Sequence, residues 1–161
     1  MQAHRLQQRL PADVVVVSPD VGRVQMATEY AHRLGTSVVV LHKRRESGTE
    51  TGVTHVVGDV CGKACLIVDD MISTGGTIAE SVAALRAAGA RSEITVAATH
   101  GLLLEGARAK LTRAGVGAVL VTDTVLVGEQ NWPQLRVASI AVLLAGAMRR
   151  FLANGSLSDL G

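Results

Sequence analysis

Along the chain, short runs of consecutive apolar residues alternate with longer stretches in which apolar positions recur at helical spacing. The runs DVVVV (13–17), SVVVL (37–41), ACLIV (64–68), EITVAAT (93–99), AVLVT (118–122) and LRVASI (135–140) have strand length and few polar interruptions. Between them, 24–34 reads as a helix closed by Gly35, 77–88 as an Ala-rich helix closed by Gly89, and 105–114 as a third. A final helix runs to Ala153. Strands that are apolar throughout are covered on both faces. The alternation therefore predicts an α/β fold, with a parallel sheet of about five strands and helices on both faces, in a single domain over 1–161. One stretch breaks the beat. KRRESGTETG (43–52) carries charge, Gly and Thr without an apolar period, and predicts a mobile loop.

Composition sharpens this picture. Only Tyr30, Trp132 and Phe151 are aromatic, so Val, Ile, Leu and Ala must fill the core, as suits a sheet sandwiched by helices. The same shortage removes the platforms on which nucleic-acid modules stack bases, and no nucleic-acid partner is expected. Sixteen basic against fourteen acidic residues leave a net charge of +2, which demands no acidic partner. The longest apolar run, 137–148, is interrupted by Ser139 and is shorter than the about 20 residues of a membrane span. With no secretory leader pattern at the N-terminus, the expectation is a cytoplasmic protein without membrane contact. Cys61 and Cys65 lack a second Cys or His pair at metal spacing and are expected to be packing residues in a reducing compartment.

In parallel sheets, ligands bind beyond the carboxyl ends of the strands. There the sequence concentrates its polar chemistry: SPDVGR after Val17, HKRR after Leu41, DDMISTGGT after Val68, HG after Thr99 and TDT after Val121. Ser73, Thr74, Gly75, Gly76 and Thr77 lie between a strand and a helix N-terminus, where unpaired N–H groups and the helix dipole favour an anion. Glycine permits close backbone approach and the hydroxyls add donors, which describes a phosphate cradle. Asp69 and Asp70 just before it repel an anion, but accept hydrogen bonds from sugar hydroxyls or hold Mg²⁺. A sugar phosphate satisfies both halves. The same residues also suit an acidic turn ahead of an N-capped helix. Lys43 and Arg45, taken alone, suit a solvated charge run equally well.

The stretch CLIVDDMISTGGT (65–77) resembles the phosphoribosyl diphosphate (PRPP) binding motif of type I phosphoribosyltransferases and PRPP synthetases. VVVVSPDVGRV, HKRR, VVGDVCGK, AATHGL, VTDT and AGAMRRFLANGSLSDL resemble, in that order, the C-terminal half of the ribose-phosphate diphosphokinase (PRPP synthetase) family, over about residues 10–160. The resemblance implies a type I phosphoribosyltransferase-like fold. It implies transfer of the β,γ-diphosphoryl group of ATP to the C1 hydroxyl of ribose 5-phosphate, giving PRPP and AMP with Mg²⁺. It further implies that Asp69 and Asp70 take the ribose hydroxyls, with Asp69 near Mg²⁺, and that Ser73, Thr74, Gly75, Gly76 and Thr77 hold the 5-phosphate. Asp20 and Gly22 fall in the diphosphate loop, with Asp20 close to a magnesium. Lys43 and Arg45 fall on a catalytic loop that stabilises charge on the transferring group. Family enzymes associate, so a homo-oligomer is implied as well.

The chain departs from the family pattern at four points. Ser73 stands where many members have a second aspartate before the Thr of the phosphate turn. Arg23 stands where a second glycine is common, adding a positive charge beside the diphosphate loop. Within THGLLLEGA (99–107), Leu104, Glu105 and Gly106 stand in place of the usual Ser-Gly-Pro. The N-terminal half, which in the family contributes most of the ATP site, has no counterpart here. Three functions follow: the ribose 5-phosphate half of a diphosphokinase, a stand-alone phosphoribosyltransferase using PRPP, or a non-catalytic PRPP-binding associated subunit.

Overall fold

In the computed structural model, residues 10–43, 54–128 and 131–158 are described. Seven strands form one sheet: β1 (Val15–Ser18), β2 (Val38–Lys43), β3 (Thr54–Val57), β4 (Cys65–Ile72), β5 (Ile94–Gly101), β6 (Ala118–Thr122) and β7 (Leu135–Ala138). Four helices accompany them: α1 (Val24–Leu34), α2 (Gly76–Ala87), α3 (Ala107–Ala114) and α4 (Ala141–Leu152). The strand order is β3-β2-β1-β4-β5-β6-β7. All neighbours pair in parallel except β2 and β3, which are antiparallel. The expected α/β architecture is thus present: the six apolar runs all form strands and one more joins them, so the sheet has seven strands where about five were expected, one of them reversed. The unforeseen strand is β3. At four residues, THVV, it is too short to announce itself after a polar stretch, and its pairing of Leu41 with Val56 spans a connection outside the described residues.

Alternation in β1 and β4 explains why both faces are apolar. Val14, Val16, Leu66 and Val68 point to one side, where Ala27 and Ala31 bring α1 close through small side chains. Val15, Val17, Cys65 and Ile67 point to the other, against Ile78, Val82 and Leu85 of α2 and Leu111 of α3. Ile78, Val82 and Leu85 repeat at i, i+4 and i+7, one helical stripe. Each side chain so buried contributes about 1.5–3 kcal/mol relative to exposure. Of the two cysteines, Cys65 is buried as expected. Cys61 is exposed, because it precedes β4 in a surface turn.

Three strands run two or more residues past their expected ends, β2 among them, which reaches Lys43. β4 continues through Asp69, Asp70 and Met71 to Ile72, and β5 through His100 to Gly101, because the two remain paired in register to Ile72↔Gly101. The acidic pair therefore stands on a strand rather than in a turn. The third helix starts at Ala107 rather than 105, since Gly106 takes a left-handed φ of 81° at its cap. The last strand closes at Ala138, short of Ile140.

Candidate functional site

The sheet order reverses between β1 and β4, so the chain leaves these adjacent strands toward opposite sides and opens a crevice at their carboxyl ends. Each strand delivers one turn to that crevice.

After β1, the turn is held by its own acid. Asp20 Oδ1 accepts from the backbone N–H of Gly22 at 2.7 Å and of Arg23 at 3.1 Å, capping a short 3-10 turn over Val21–Arg23. Ser18 donates to the carbonyl of Asp20 at 2.6 Å. A Cβ on Gly22 would lie 3.1 Å from Asp20 Oδ1, so the capped turn is tight at that position.

After β4, residues 73–77 turn into α2. Gly75 sits at the helix cap with φ 73°, and a Cβ there would meet Leu111 Cγ at 3.0 Å. Glycine is required twice over, for the left-handed backbone and for the approach of α3. No side chain caps α2, and the N–H groups of a first helical turn have no acceptor within their own helix. A Cβ on Gly76 would meet only Thr74 Oγ1, at 3.6 Å, so the space above it is open. Asp69, Ile72 and residues 73–78 line a cleft of about 60 Å³. Ser73, Thr74 and Thr77 are exposed on it. The divergent 102–106 segment supports the turn from behind. Leu103 N–H donates to Ile72 O and Leu104 N–H to Ser73 O, both at 3.0 Å, with Leu103 itself at φ 44°.

Asp69 is buried and Asp70 half-buried. Arg23 joins them across the crevice. Its Nε lies 3.2 Å from Asp69 Oδ1 and 3.1 Å from Asp70 Oδ1, and its Nη2 lies 2.7 Å from Asp70 Oδ2. Burial, with the neighbouring Asp70 carboxylate, pushes Asp69 up to about 6. For Asp70, burial acts upward but is outweighed by its hydrogen bond with Asp69 and the charge of Arg23, and its carboxyl is held below the ordinary value. Arg23 is raised in turn, chiefly by its bond to Asp69.

The structure thus brings together Asp20, Gly22, Asp69, Asp70 and Ser73 to Thr77 around one crevice. Lys43, expected as the first residue of a loop over 43–52, instead ends β2, the strand beside β1; its side chain, Arg45 and the rest of that loop lie outside the described residues. His100 Nδ1 is 2.9 Å from Thr124 Oγ1, a partnership within the end of β5 and the turn after β6. The one participant whose contacts the sequence does not reveal is Arg23, whose carboxylate partners lie 46 and 47 positions away.

Mg²⁺ demands free oxygen ligands in near-octahedral array and usually takes one or two carboxylates plus substrate phosphates. Among the described residues no group of three or more His, Cys, Asp or Glu is placed to hold a metal. The two carboxylates that do stand together already have a cation. Asp69 Oδ1 accepts from both Arg23 and the Asp70 N–H, and Asp20 Oδ1 from two backbone N–H groups. As built, these residues do not fit a metal while Arg23 stays in place.

Comparison with known proteins follows the same lines. The family described as phosphoribosyl synthetase-associated domain matches residues 47–161. The ribose-phosphate pyrophosphokinase of Corynebacterium efficiens is 44% identical over 152 residues, covering 92% of this chain and 46% of that protein. The phosphoribosylpyrophosphate synthetase structure from Mycobacterium smegmatis superimposes with a TM-score of 0.84 at 42% identity, over 96% of this chain and 50% of that one. The chain spans about half the length of the curated relatives it matches. An adenine phosphoribosyltransferase from Giardia lamblia, solved with 9-deazaadenine, shares the fold, with a TM-score of 0.56 at 22% identity over 70% of each chain. The fold is that of type I phosphoribosyltransferases.

Proposed function

Since this chain belongs to the phosphoribosyl synthetase-associated domain family and is a homologue of the ribose-phosphate pyrophosphokinases, we propose that it is the ribose 5-phosphate and PRPP-binding half of a ribose-phosphate diphosphokinase. The observation that carries this reading is a carboxylate pair near the end of β4 with an uncapped Gly/Thr helix entry directly after that strand, at the switch point of the sheet. In this reading the 5-phosphate lies on the N–H groups and hydroxyls of Ser73, Thr74, Gly75, Gly76 and Thr77, where the helix dipole favours it. Asp69 and Asp70 accept the ribose hydroxyls, which leaves C1 directed toward the turn of Asp20 and Gly22, where the diphosphate is received.

The reaction joins the C1 oxygen to the β-phosphorus of ATP and breaks the bond between that phosphorus and the oxygen that leaves with AMP. Lys43 and Arg45 are assigned to the charge that develops in that exchange. The family generally needs Mg²⁺. Asp20 and Asp69, whose Oδ1 atoms are already taken by N–H donors, do not hold it in this arrangement; brought in with ATP, it would supply charge neutralisation to the phosphates. Residues 1–161 act as one phosphoribosyltransferase-like domain that works with the ATP-binding half found in full-length relatives, in an oligomer and in the cytoplasm. Among the described residues no helix is long and apolar enough to cross a membrane.

Calorimetric titration of ribose 5-phosphate into the wild-type chain and into a Thr77→Ala, Gly76→Val double variant tests the site. Binding should be lost in the variant while its thermal unfolding is little changed, since the Gly76 position opens on empty space. Equal affinities would remove the cradle assignment.

A further inference from the structure

Arg23 belongs neither to the phosphate cradle nor to the sugar acceptors, yet its guanidinium occupies the middle of the site. Its backbone is fixed by the Asp20 cap, and its side chain then makes three contacts with two carboxylates, one of them a bidentate grip on Asp70. Two adjacent carboxylates repel unless a proton or a cation stands between them. Here the protein supplies that cation itself, on a backbone held by the turn that Asp20 caps, so little freedom is left to lose when it acts.

Geometry separates what this arrangement accepts from what it refuses. A carboxylate offers about four lone-pair sites, and Arg23 takes one on each oxygen of Asp70, so acceptor capacity remains for the O–H groups of a sugar. A metal ion needs the same oxygens at about 2.0–2.1 Å and carries the same sign of charge as the guanidinium beside them. Sugar hydroxyls and Arg23 are compatible on this pair, whereas Mg²⁺ and Arg23 compete.

We propose that Arg23 is a built-in counter-cation that replaces Mg²⁺ at the Asp69–Asp70 pair, so that this chain captures ribose 5-phosphate without a divalent metal. The inference rests on the reading of the crevice as a sugar-phosphate site. It concerns capture of the sugar and not the chemistry of ATP.

Titration of ribose 5-phosphate by calorimetry in Mg²⁺ and in EDTA tests it. Wild-type affinity should agree within about twofold between the two buffers. In Arg23→Gly, affinity in EDTA should fall about tenfold or more, the scale of a lost charge-assisted hydrogen bond, and recover in Mg²⁺. Arg23→Gln, which keeps bulk and loses charge, should show the same metal dependence and guards against a folding defect of the glycine variant. Mn²⁺ titrated alone and followed by electron paramagnetic resonance should bind the variants and not the wild type. Wild-type binding that collapses in EDTA, or variants whose affinity ignores the metal, would overturn the role of Arg23 alone. Wild-type protein that binds no ribose 5-phosphate in either buffer would overturn the sugar-phosphate reading along with it.

Discussion

Asp69 holds its proton more tightly in the folded chain than an unfolded one would, because its carboxyl is buried beside another carboxylate. Between the ordinary value of 3.8 and about 6 the folded state therefore carries the extra proton, and stability falls as pH climbs through that window. Above about 6 both states are ionised and the cost stays constant. Thermal unfolding from pH 4 to 7 should show this decline in the wild type and a flatter profile in Asp69→Asn; parallel profiles would deny Asp69 its buried, raised state. Lys43→Ala tests a different residue in a different way. In an active protein that includes the ATP-binding half, kcat should fall by about a hundredfold or more, as when a charge-stabilising donor is removed. KM for ribose 5-phosphate should stay put, because the cradle is untouched. A raised KM at constant kcat would make the residue a binding clamp. At this scale the sequence was informative where chemistry is contiguous: Asp69, Asp70 and the 73–77 turn follow one another and announce themselves. Arg23 showed only as a substitution for glycine, since a contact to residues 46 and 47 positions away leaves no local pattern.

Among the elements, the entry to α2 bears the most constraint. Gly75 combines a φ of 73° with Leu111 Cγ only 3.0 Å from where a Cβ would stand. Gly75→Ala should destabilise the fold by about 1–3 kcal/mol in denaturant titration, from the left-handed backbone and the displaced leucine. A change under about 0.5 kcal/mol, the scale of an ordinary surface substitution, would mean that the turn relaxes freely. Helix and strand positions were legible from periodicity because burial on both faces leaves strands uninterrupted by polar residues, as in VVVS of β1. The carboxyl ends of β4 and β5 were not, because Asp, Thr and His look like loop residues, while the ladder of backbone hydrogen bonds between the two strands continues past them. β3 was missed for the opposite reason: of its four residues only Val56 and Val57 are apolar, and its partner is reached across a polar stretch. The departure at Leu104 to Gly106 acquires a reason only from the fold, where the Leu104 N–H pins Ser73 beside the bond from Leu103 to Ile72.

For the molecule as a whole, the sheet order places both turns of the crevice on neighbouring strands although they lie about fifty residues apart in sequence, and under the proposed function this is how one domain would assemble a site for a ligand with two polar ends. Its C-terminal helix tells of something further. No residue of α4 is buried, and Val142, Met148, Phe151 and Leu152 are each more than 60% exposed. An apolar helix with no buried face in its own domain is suited to cover by another chain or domain. Light scattering at high concentration should give at least a dimer, and a single 16.8 kDa particle would contradict the oligomer. In the proposed function this domain supplies the sugar-phosphate half of diphosphoryl transfer. Mass-spectrometric product analysis after incubation with ribose 5-phosphate, ATP and Mg²⁺ tests it most directly, run on this chain alone and on this chain joined to the ATP-binding half of its full-length relatives. AMP and PRPP should form with the joined protein and neither with this chain by itself; a joined protein that binds both substrates and forms no PRPP, or PRPP made by the single chain, would rule out that role.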